Sequence, residues 1–228
     1  MDGELAVAQA LRYAEELREL HGREREQRRL AEDAYAQLAE SYGNTVRALA
    51  AALELRDDET GGHAGRVTQL ALQIAHLIAP DLAENPELEY GFLLHDLGKI
   101  GVPDSILLKP GPLTARERET MRDHPILGER IVARVPYLRG IARQVVAAHH
   151  ERWDGTGYPR RLRGLQIPLC ARVFAVADAY DAMTNDRPYR AAMKKDLALA
   201  EIERCAGTQF EPLVVEAFLS LDEFASAA

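Results

Sequence analysis

The sequence predicts an all-α fold, a helical bundle preceded by one long N-terminal helix. Apolar residues recur three and four positions apart along most of the chain, which is the spacing that gives a helix one buried face. No stretch alternates apolar and polar residues for more than a few positions, as a half-buried strand would. These two observations exclude a sheet-based architecture.

Composition limits the size and class of the protein. The 228 residues suit one domain plus an extension, and a hydrophobic fraction of 47% is enough for a buried core. A net charge of −8 argues against a DNA-binding surface but permits a small anionic ligand. The chain lacks an apolar run of membrane-span length, a signal pattern and CxxC-spaced cysteines. We therefore expect a cytoplasmic protein with reduced thiols and no membrane segment.

Residues 1–44 are predicted to form a long helix in a coiled coil. The segment contains no proline, and its apolar or small residues recur at Ala10, Ala14, Leu17, Ala31, Ala34, Leu38 and Ser41. A solvated single helix is the alternative, but a helix of this length has no other apolar partner within the segment. We expect it to form a homodimer and to join an upstream sensory or receiver domain to the rest of the chain.

A broader apolar face begins at Thr45, so residues 45–228 are predicted to form the folded domain. The first helix continues to about Leu55, and Asp57–Gly62 interrupts it. Pro86 is assigned to a connection and 98–103 to a loop. The remaining predicted helices are one that ends by Pro80, Tyr90–Leu97, a helix from the Thr114–Glu117 capping box to Arg122, Ile126–Arg134, Leu138–His150, Leu169–Thr184, 191–206 and 212–222.

Two adjacent histidines organise the chemistry of the chain. His149 and His150 end an apolar helix, and a glycine-rich turn that closes at Pro159 follows at once. Two imidazoles side by side offer two nitrogen donors to one pocket, which suits a site with more than one metal ion. The glycines allow backbone to approach a ligand closely.

Other candidate ligands lie at helix ends or in apolar surroundings. His95 and Asp96 follow an apolar helix, where the carboxylate could bridge two cations. The alternative is a hydrogen bond between the two side chains without a metal. Lys99 on the same face makes this alternative less favoured, because a lysine there can hold phosphate or water. Asp178 interrupts an apolar helix and therefore needs a metal, a histidine or an arginine as partner.

Glu59 and His63 are four residues apart, which is metal-ligand spacing on a helix, although Asp57 and Asp58 are rivals for the carboxylate role. His124 stands at a helix start before Pro125. Three carboxylates among neutral imidazoles would repel one another without cations, whereas two or three divalent ions would make the pocket positive. Two arginines after this set, Arg187 and Arg190, could clamp a phosphate, with ordinary surface arginines as the alternative.

Taken together, these stretches resemble the HD-GYP family of metal-dependent phosphodiesterases, within the HD-domain superfamily. The resemblance runs from about Ala50 to Phe218. It is carried by these motifs in order: Glu59–His63 with Arg66–Val67, Leu94–Asp104, Lys109–Gly111, His124–Pro125, His149–Pro159, Val176–Ala182 and Arg187–Arg190.

The resemblance implies an HD-type helical core and hydrolysis of cyclic di-GMP to pGpG, and in some members to GMP, in bacterial second-messenger signalling. It implies a metal-bridging hydroxide as nucleophile, with Asp96 bridging the metals and Lys99 beside the scissile phosphate. Arg187 and Arg190 would bind the phosphates of the substrate, and Gly157, Tyr158 and Pro159 would shape its pocket. The implied metal ligands are His63, His95, Asp96, His124, His149, His150 and Asp178.

Glu59 resembles the glutamate of a subgroup that holds a third metal, so a trinuclear site is expected, although a binuclear site is the commoner arrangement. Oxygen and imidazole ligands without thiolate suit iron or manganese, and zinc or nickel could bind during purification. The sequence departs from the family at Ala64 and Asn185, which bears on the hydrogen bonds behind the ligands. A catalytically slow cyclic-dinucleotide sensor and a phosphodiesterase that prefers 3′,3′-cGAMP are the alternatives.

Overall fold

The computed structural model describes residues 2–57, 62–186 and 191–227, and the described residues form helices joined by turns. The predicted all-α fold is confirmed. The α helices are α1 Asp2–Asp57, α2 His63–Ile78, α3 Pro80–Ala83, α4 Pro86–Leu93, α5 Asp104–Leu107, α6 Ala115–Arg122, α7 His124–Val132, α8 Ile141–Ala148, α9 Leu169–Thr184, α10 Lys195–Arg204 and α11 Pro212–Ala227. Short 3₁₀ helices cover Leu97–Gly101, Pro136–Leu138 and Gly164–Gln166.

The chain divides into two compact units, Met1–Thr45 and Val46–Ala228. The first unit consists of the N-terminal part of α1, and the long helix predicted there is confirmed. Its described apolar side chains, such as Leu17, Leu30 and Leu38, are more than half exposed. Ion pairs within the helix, such as Arg28 with Glu32, are also exposed and add little stability.

The second unit has two buried clusters that share α4 and α8. Leu88 and Phe92 of α4 enter the larger cluster with α2, α9, α10 and α11. Tyr90 and Leu94 on the other face of α4 enter the smaller cluster with α7 and α8. Phe92 is fully buried against Phe174 of α9, with ring centroids 5.3 Å apart. Each such ring stabilises the fold by about 1.5–3 kcal/mol, and α4 is thereby fixed with its C-terminus inside the unit.

Several helix boundaries differ from the prediction. The helix predicted to end at Leu97 ends at Leu93, and the helix predicted over Ile126–Arg134 is His124–Val132. The helix predicted to begin at Tyr90 begins at Pro86, because Asn85 Oδ1 accepts a hydrogen bond from Glu87 N at 2.9 Å and proline is favoured in the first turn. The helix predicted over 138–150 is reduced to α8, because a break at Gly140 separates it from a 3₁₀ turn. The helix predicted over 191–206 is reduced to α10. The capping box of Thr114 and Glu117 is confirmed.

The segment 98–103, which was predicted to be a loop, is mostly the 3₁₀ helix Leu97–Gly101. This turn lies directly on α7, and a Cβ atom at Gly98 would stand 1.8 Å from the carbonyl oxygen of His124. Glycine at this position therefore permits an approach that no other residue allows. The close contact brings the end of α4 to the start of α7.

Among the described residues, we find no helix with the length and apolarity needed to cross a membrane.

Candidate metal centre

Seven side chains from five parts of the second unit come together in two groups. We call them the His149 group and the His63 group. Within each group, the candidate ligand atoms lie within 4.8 Å of one another. The His149 group is Asp96, His124, His149 and His150, and the His63 group is His63, His95 and Asp178. These are all of the implied metal ligands that fall in the described part of the chain.

Helix ends supply most of these residues. Asp96 follows α4, His124 begins α7, His149 and His150 follow α8, and His63 begins α2. The fully buried Phe174 ring of α9 supports this arrangement, with its centroid 4.6 Å from that of His95. The fold therefore turns several polar helix ends toward one point, with an apolar wall behind them.

Asp96 joins the two groups. Its Oδ2 lies 3.1 Å from His95 Nε2 and 2.8 Å from Lys99 Nζ. Its Oδ1 lies 3.1 Å from His124 Nε2 and 3.6 Å from His149 Nε2. One carboxylate thus faces imidazoles of both groups, which is the geometry of a bridging ligand.

The imidazoles of three histidines are oriented by the backbone. The Nδ1 atoms of His95, His124 and His149 lie 2.8, 2.7 and 3.0 Å from the carbonyl oxygens of Phe92, Met121 and Val146, each three residues earlier. A carbonyl oxygen only accepts, so each Nδ1 must carry a proton and donate it. In the neutral ring, each Nε2 then carries a lone pair that points toward Asp96.

This proton arrangement leaves the centre without enough donors. His124 Nε2 and His149 Nε2 are 3.1 Å apart, yet two lone pairs cannot form a hydrogen bond. Within the described residues, the buried Asp96 Oδ1 accepts no hydrogen bond despite its closeness to both imidazoles. An unsatisfied buried carboxylate oxygen is costly. Divalent cations would satisfy the oxygen and both nitrogens at once, so these residues fit such ions.

Charge in the metal-free centre is concentrated on Asp96 and His95. Burial raises the pKa of Asp96, but Lys99 and His95 outweigh it and hold that pKa well below the usual range. Burial lowers the pKa of His95, but Asp96 and then Asp178 raise it to about 9. Burial and neighbouring imidazoles hold the pKa of His150 well below the usual range. The carboxylate is therefore ionised and His150 is neutral, as metal binding requires, whereas His95 must lose a proton when a metal binds.

His63 is oriented by a carboxylate that sequence reasoning missed. Its Nδ1 lies 2.6 Å from Asp181 Oδ2, and its Nε2 lies 3.5 Å from Asp178 Oδ1. Burial raises the pKa of Asp181, but hydrogen bonds from His63 and Arg66 lower it overall. The signal was present in the sequence, since Asp181 follows Asp178 by three residues on one helical face.

Lys99 lies beside Asp96 and belongs to the 3₁₀ helix. Arg56, at the end of α1, fixes this turn by donating to the carbonyl oxygens of Lys99 and Val102, both at 2.8 Å. Arg56 is a second residue that sequence reasoning missed, because the contact joins positions more than forty residues apart. The backbone of Lys99 is thus held while its ammonium group faces the centre.

The segment that follows His150 forms one wall of the centre. The Tyr158 ring stacks on His150, with centroids 4.7 Å apart and planes inclined by 30°, and the Arg122 guanidinium lies 5.2 Å from the Tyr158 centroid. Burial and then Asp96 raise the pKa of Tyr158, so its hydroxyl stays protonated. A Cβ at Gly157 would stand 2.4 Å from Arg152 N, so the turn requires glycine there.

Glu151 fixes this wall and was also missed. It is 4% exposed, and its two oxygens accept hydrogen bonds from Arg160 N at 2.7 Å and Leu162 N at 3.0 Å. Those partners follow Pro159, so Glu151 closes the segment into a compact loop. A glutamate directly after two histidines was the available signal in the sequence. Glu59, Arg187 and Arg190 lie outside the described residues.

The chain is similar in sequence to known proteins. A family model described as HD domain matches residues 47–214. A cyclic di-GMP phosphodiesterase of Thermotoga maritima is 44% identical over 172 residues, which cover 75% of this chain and 46% of that protein. The 3′3′-cGAMP-specific phosphodiesterase 2 of Vibrio cholerae is 40% identical over 189 residues, which cover 82% and 36%. The chain therefore spans less than half the length of these curated relatives.

A solved structure shares the fold. It is a cyclic GMP-AMP-specific phosphodiesterase of V. cholerae, and it superposes with a TM-score of 0.61 at 20% sequence identity, over 79% of this chain and 48% of that one. At this identity the likeness concerns the helical architecture alone. That architecture agrees with the bundle predicted from the sequence.

Proposed function

The chain belongs to the HD-domain family, and from this premise we propose that it is a metal-dependent phosphodiesterase that hydrolyses cyclic di-GMP, with either pGpG or GMP as the final product. The 44% identity to a curated cyclic di-GMP phosphodiesterase supports the substrate. The motifs that suggest this substrate are those quoted above, from Glu59 to Arg190.

One observation carries the proposal. The unprotonated Nε2 atoms of His124 and His149 lie 3.1 Å apart, beside the unsatisfied Oδ1 atom of Asp96. A structural hydrogen-bond network would place a proton between these atoms. The helix backbone holds both protons on the far side of the rings instead. The free energy that this arrangement costs is recovered only when cations bind.

The His149 group would hold one cation and the His63 group a second, with Asp96 between them. Glu59 would provide a ligand for a third. Iron or manganese suits this set of carboxylate oxygens and imidazole nitrogens. When bound, such ions supply positive charge for the phosphate and a water that is acidified to near neutral pH.

The chain's own groups would bind and orient the diester. The Lys99 ammonium, 2.8 Å from Asp96, can donate to a non-bridging phosphate oxygen and stabilise charge that builds up there. Tyr158 and Gly157–Pro159 would form a wall against one nucleotide, and Arg187 and Arg190 would bind phosphate oxygens with forked donors. Cleavage of the bond from phosphorus to the 3′ oxygen then yields the linear product.

The decisive experiment is anaerobic turnover of cyclic di-GMP by protein loaded with iron or manganese. Products are separated by chromatography, and metal is counted on the same sample. We expect pGpG or GMP together with two to three metals per chain. His76→Ala is a matched control, because His76 is an exposed histidine of α2 whose Nδ1 is bonded to Leu72 O. Full metal occupancy with tight binding of cyclic di-GMP and no product would instead identify a sensor.

A preference for 3′,3′-cGAMP is the second candidate, since a relative with 40% identity is specific for that nucleotide. Both substrates contain the same phosphodiester core, so the metal centre cannot separate them. Direct competition of the two nucleotides in one reaction gives the ratio of their kcat/KM values. A ratio in favour of cGAMP would reassign the substrate and leave the metal chemistry unchanged.

We further propose that residues 1–44 form a signalling helix that dimerises as a coiled coil and joins an upstream sensory or receiver domain to a catalytic domain of residues 45–228. The exposed Leu17, Leu30 and Leu38 support this division. Sedimentation of the wild type and of a Leu17→Asp, Leu38→Asp double variant tests it. We expect a dimer that the double variant converts to monomer, and a monomeric wild type would contradict it. The reduced cysteines suit the cytoplasm.

A further inference from the structure

His63 differs from the other oriented imidazoles in the kind of group that accepts its proton. His95, His124 and His149 each donate to the backbone carbonyl three residues earlier in the sequence. His63 donates to the Asp181 carboxylate, 118 residues away in the sequence.

Asp181 is itself held by two further residues. Arg66 Nε donates to Oδ1 at 2.7 Å and Arg66 Nη2 donates to Oδ2 at 3.1 Å. Asn185 Nδ2 donates to Oδ1 at 2.9 Å. These donors and His63 together occupy both oxygens of Asp181. The residue is also buried, at 6% exposed. The carboxylate has one orientation, and it transmits that orientation to the imidazole.

We propose that Asp181 is the positioning residue of the His63 group: by accepting the Nδ1 proton of His63 it directs Nε2 toward Asp178 and so determines whether this group binds its metal. The inference rests on the proposed metal centre and assigns Asp181, Arg66 and Asn185 a part in it. It makes the two groups separable, because the imidazole that Asp181 contacts among the described residues, His63, belongs to the His63 group.

The physical reason is the choice of proton position and the strength of the ligand. A carboxylate acceptor fixes the tautomer with the proton on Nδ1 and makes Nε2 a better electron donor. Without it, the proton can move to Nε2 and block the position that a metal needs. Loss of such a supporting carboxylate typically weakens metal binding by about 10–100-fold.

The test is titration of the metal-free full chain with Mn²⁺, with bound and free ion counted at each point. We expect Asp181→Ala to weaken one equivalent by about 10–100-fold and to leave the equivalent at the His149 group unchanged. Asp181→Asn is the sharper variant. Arg66 and Asn185 attract the amide oxygen, so the amide NH₂ faces His63, donates to Nδ1 and shifts the ring proton to Nε2. The isosteric change should therefore be about as harmful as Ala.

Two comparisons separate positioning from a structural role of Asp181 between α2 and α9. Arg66→Met removes an ion pair between these helices but leaves the hydrogen bond from His63 to Asp181, so thermal stability should fall, and Mn²⁺ affinity should fall by less than in Asp181→Ala. In a double-mutant cycle, His63→Ala and Asp181→Ala should be non-additive, because Asp181 acts through the His63 ring. Additive losses, or a mild Asn variant beside a severe Ala variant, would overturn the inference.

The outcomes also distinguish this inference from the proposed function. Wild-type protein that binds no Mn²⁺ would overturn the metal centre and the role of Asp181 together. Binding that Asp181→Ala leaves intact, or an equal loss at both groups, would overturn the role of Asp181 alone. Normal metal binding by wild type without hydrolysis of cyclic dinucleotides would refute the enzyme and leave the positioning role standing.

Discussion

The His149 group and the His63 group meet at Asp96, yet they are built in different ways. In the His149 group, His124 and His149 each donate to a carbonyl of their own turn, and both side chains are 2% exposed or less. In the His63 group, one imidazole depends on Asp181 of a distant helix, and the Asp178 side chain is 23% exposed. In the first group the acceptors lie close to the histidines in the sequence, whereas the second group depends on a contact between distant helices. Each group has one partly exposed ligand, His150 or Asp178.

This difference separates two sources of precision in a site. A helical turn that ends in histidine orients its ring wherever the turn is placed. A ring oriented by a distant carboxylate is correct only when two helices are packed correctly. Metal bound at the His63 group should therefore be more sensitive to changes in the packing of α2 on α9 than metal bound at the His149 group.

The largest effect is expected when Asp96, the residue that the two groups share, is replaced. Asp96→Asn keeps the size of the side chain but removes the charge that faces both groups. We expect both groups to lose metal, and activity to fall by more than the roughly 100-fold upper limit for a supporting residue. Metal counting with turnover checks this, and His76→Ala is the control. Loss at one group alone would show that Asp96 does not bridge.

A second variant acts on the contact beneath the His149 group. Gly98→Ala places a methyl group against His124 O and forces the 3₁₀ helix away from α7. We expect unfolding free energy to fall by about 3 kcal/mol, the upper range for overpacking, with metal lost first from the His149 group. Urea denaturation with metal counting measures both effects.

Gly65→Ala is the matched control for this variant. A Cβ at Gly65 meets nothing within 4 Å, and the residue lies inside α2. Alanine there should stabilise the chain by about 0.5–1 kcal/mol. Equal behaviour of the two alanine variants would show that the short distance at Gly98 is relieved without cost.

The smallest effect concerns the order in which a chelator removes the metals. Each group has one partly exposed ligand, but His63 depends on Asp181 of another helix, so the ion of the His63 group should leave first. Stopped-flow mixing of loaded protein with excess chelator should therefore give two phases. The faster phase should disappear in Asp178→Ala. A single phase in the wild type would indicate that both ions leave through one opening event.

The sequence was most informative where structure is local. Helix periodicity, the capping box at Thr114 and the ligand histidines at helix ends all involve neighbouring residues, and pattern reasoning reaches these. Pro86 was wrongly assigned to a connection, because proline both interrupts helices and is favoured in their first turn. Asn85 caps the helix N-terminus, which places Pro86 in the first turn of α4.

Contacts between distant segments were out of reach. Arg56 holds the turn of Lys99 and Asp181 holds His63, and no periodicity connects positions so far apart. Glu151 was closer to prediction, since its two acceptors serve residues only nine and eleven positions later. Its role still depends on a loop whose path the sequence alone does not give. The candidate ligands were thus predictable from the sequence. Asp181 was visible as a second carboxylate on the helical face of Asp178, but its pairing with His63 was not predictable.

The way in which His95, His124 and His149 are oriented has a consequence for protein engineering. Each has its acceptor three residues earlier in the sequence, so we expect the ring and its acceptor to stay together when a segment of four residues is moved into another scaffold. His63 is not portable in this sense. A designer who moves it must also move Asp181 and the helix pair that holds the two in register, which makes half of this centre modular and half of it inseparable from its host.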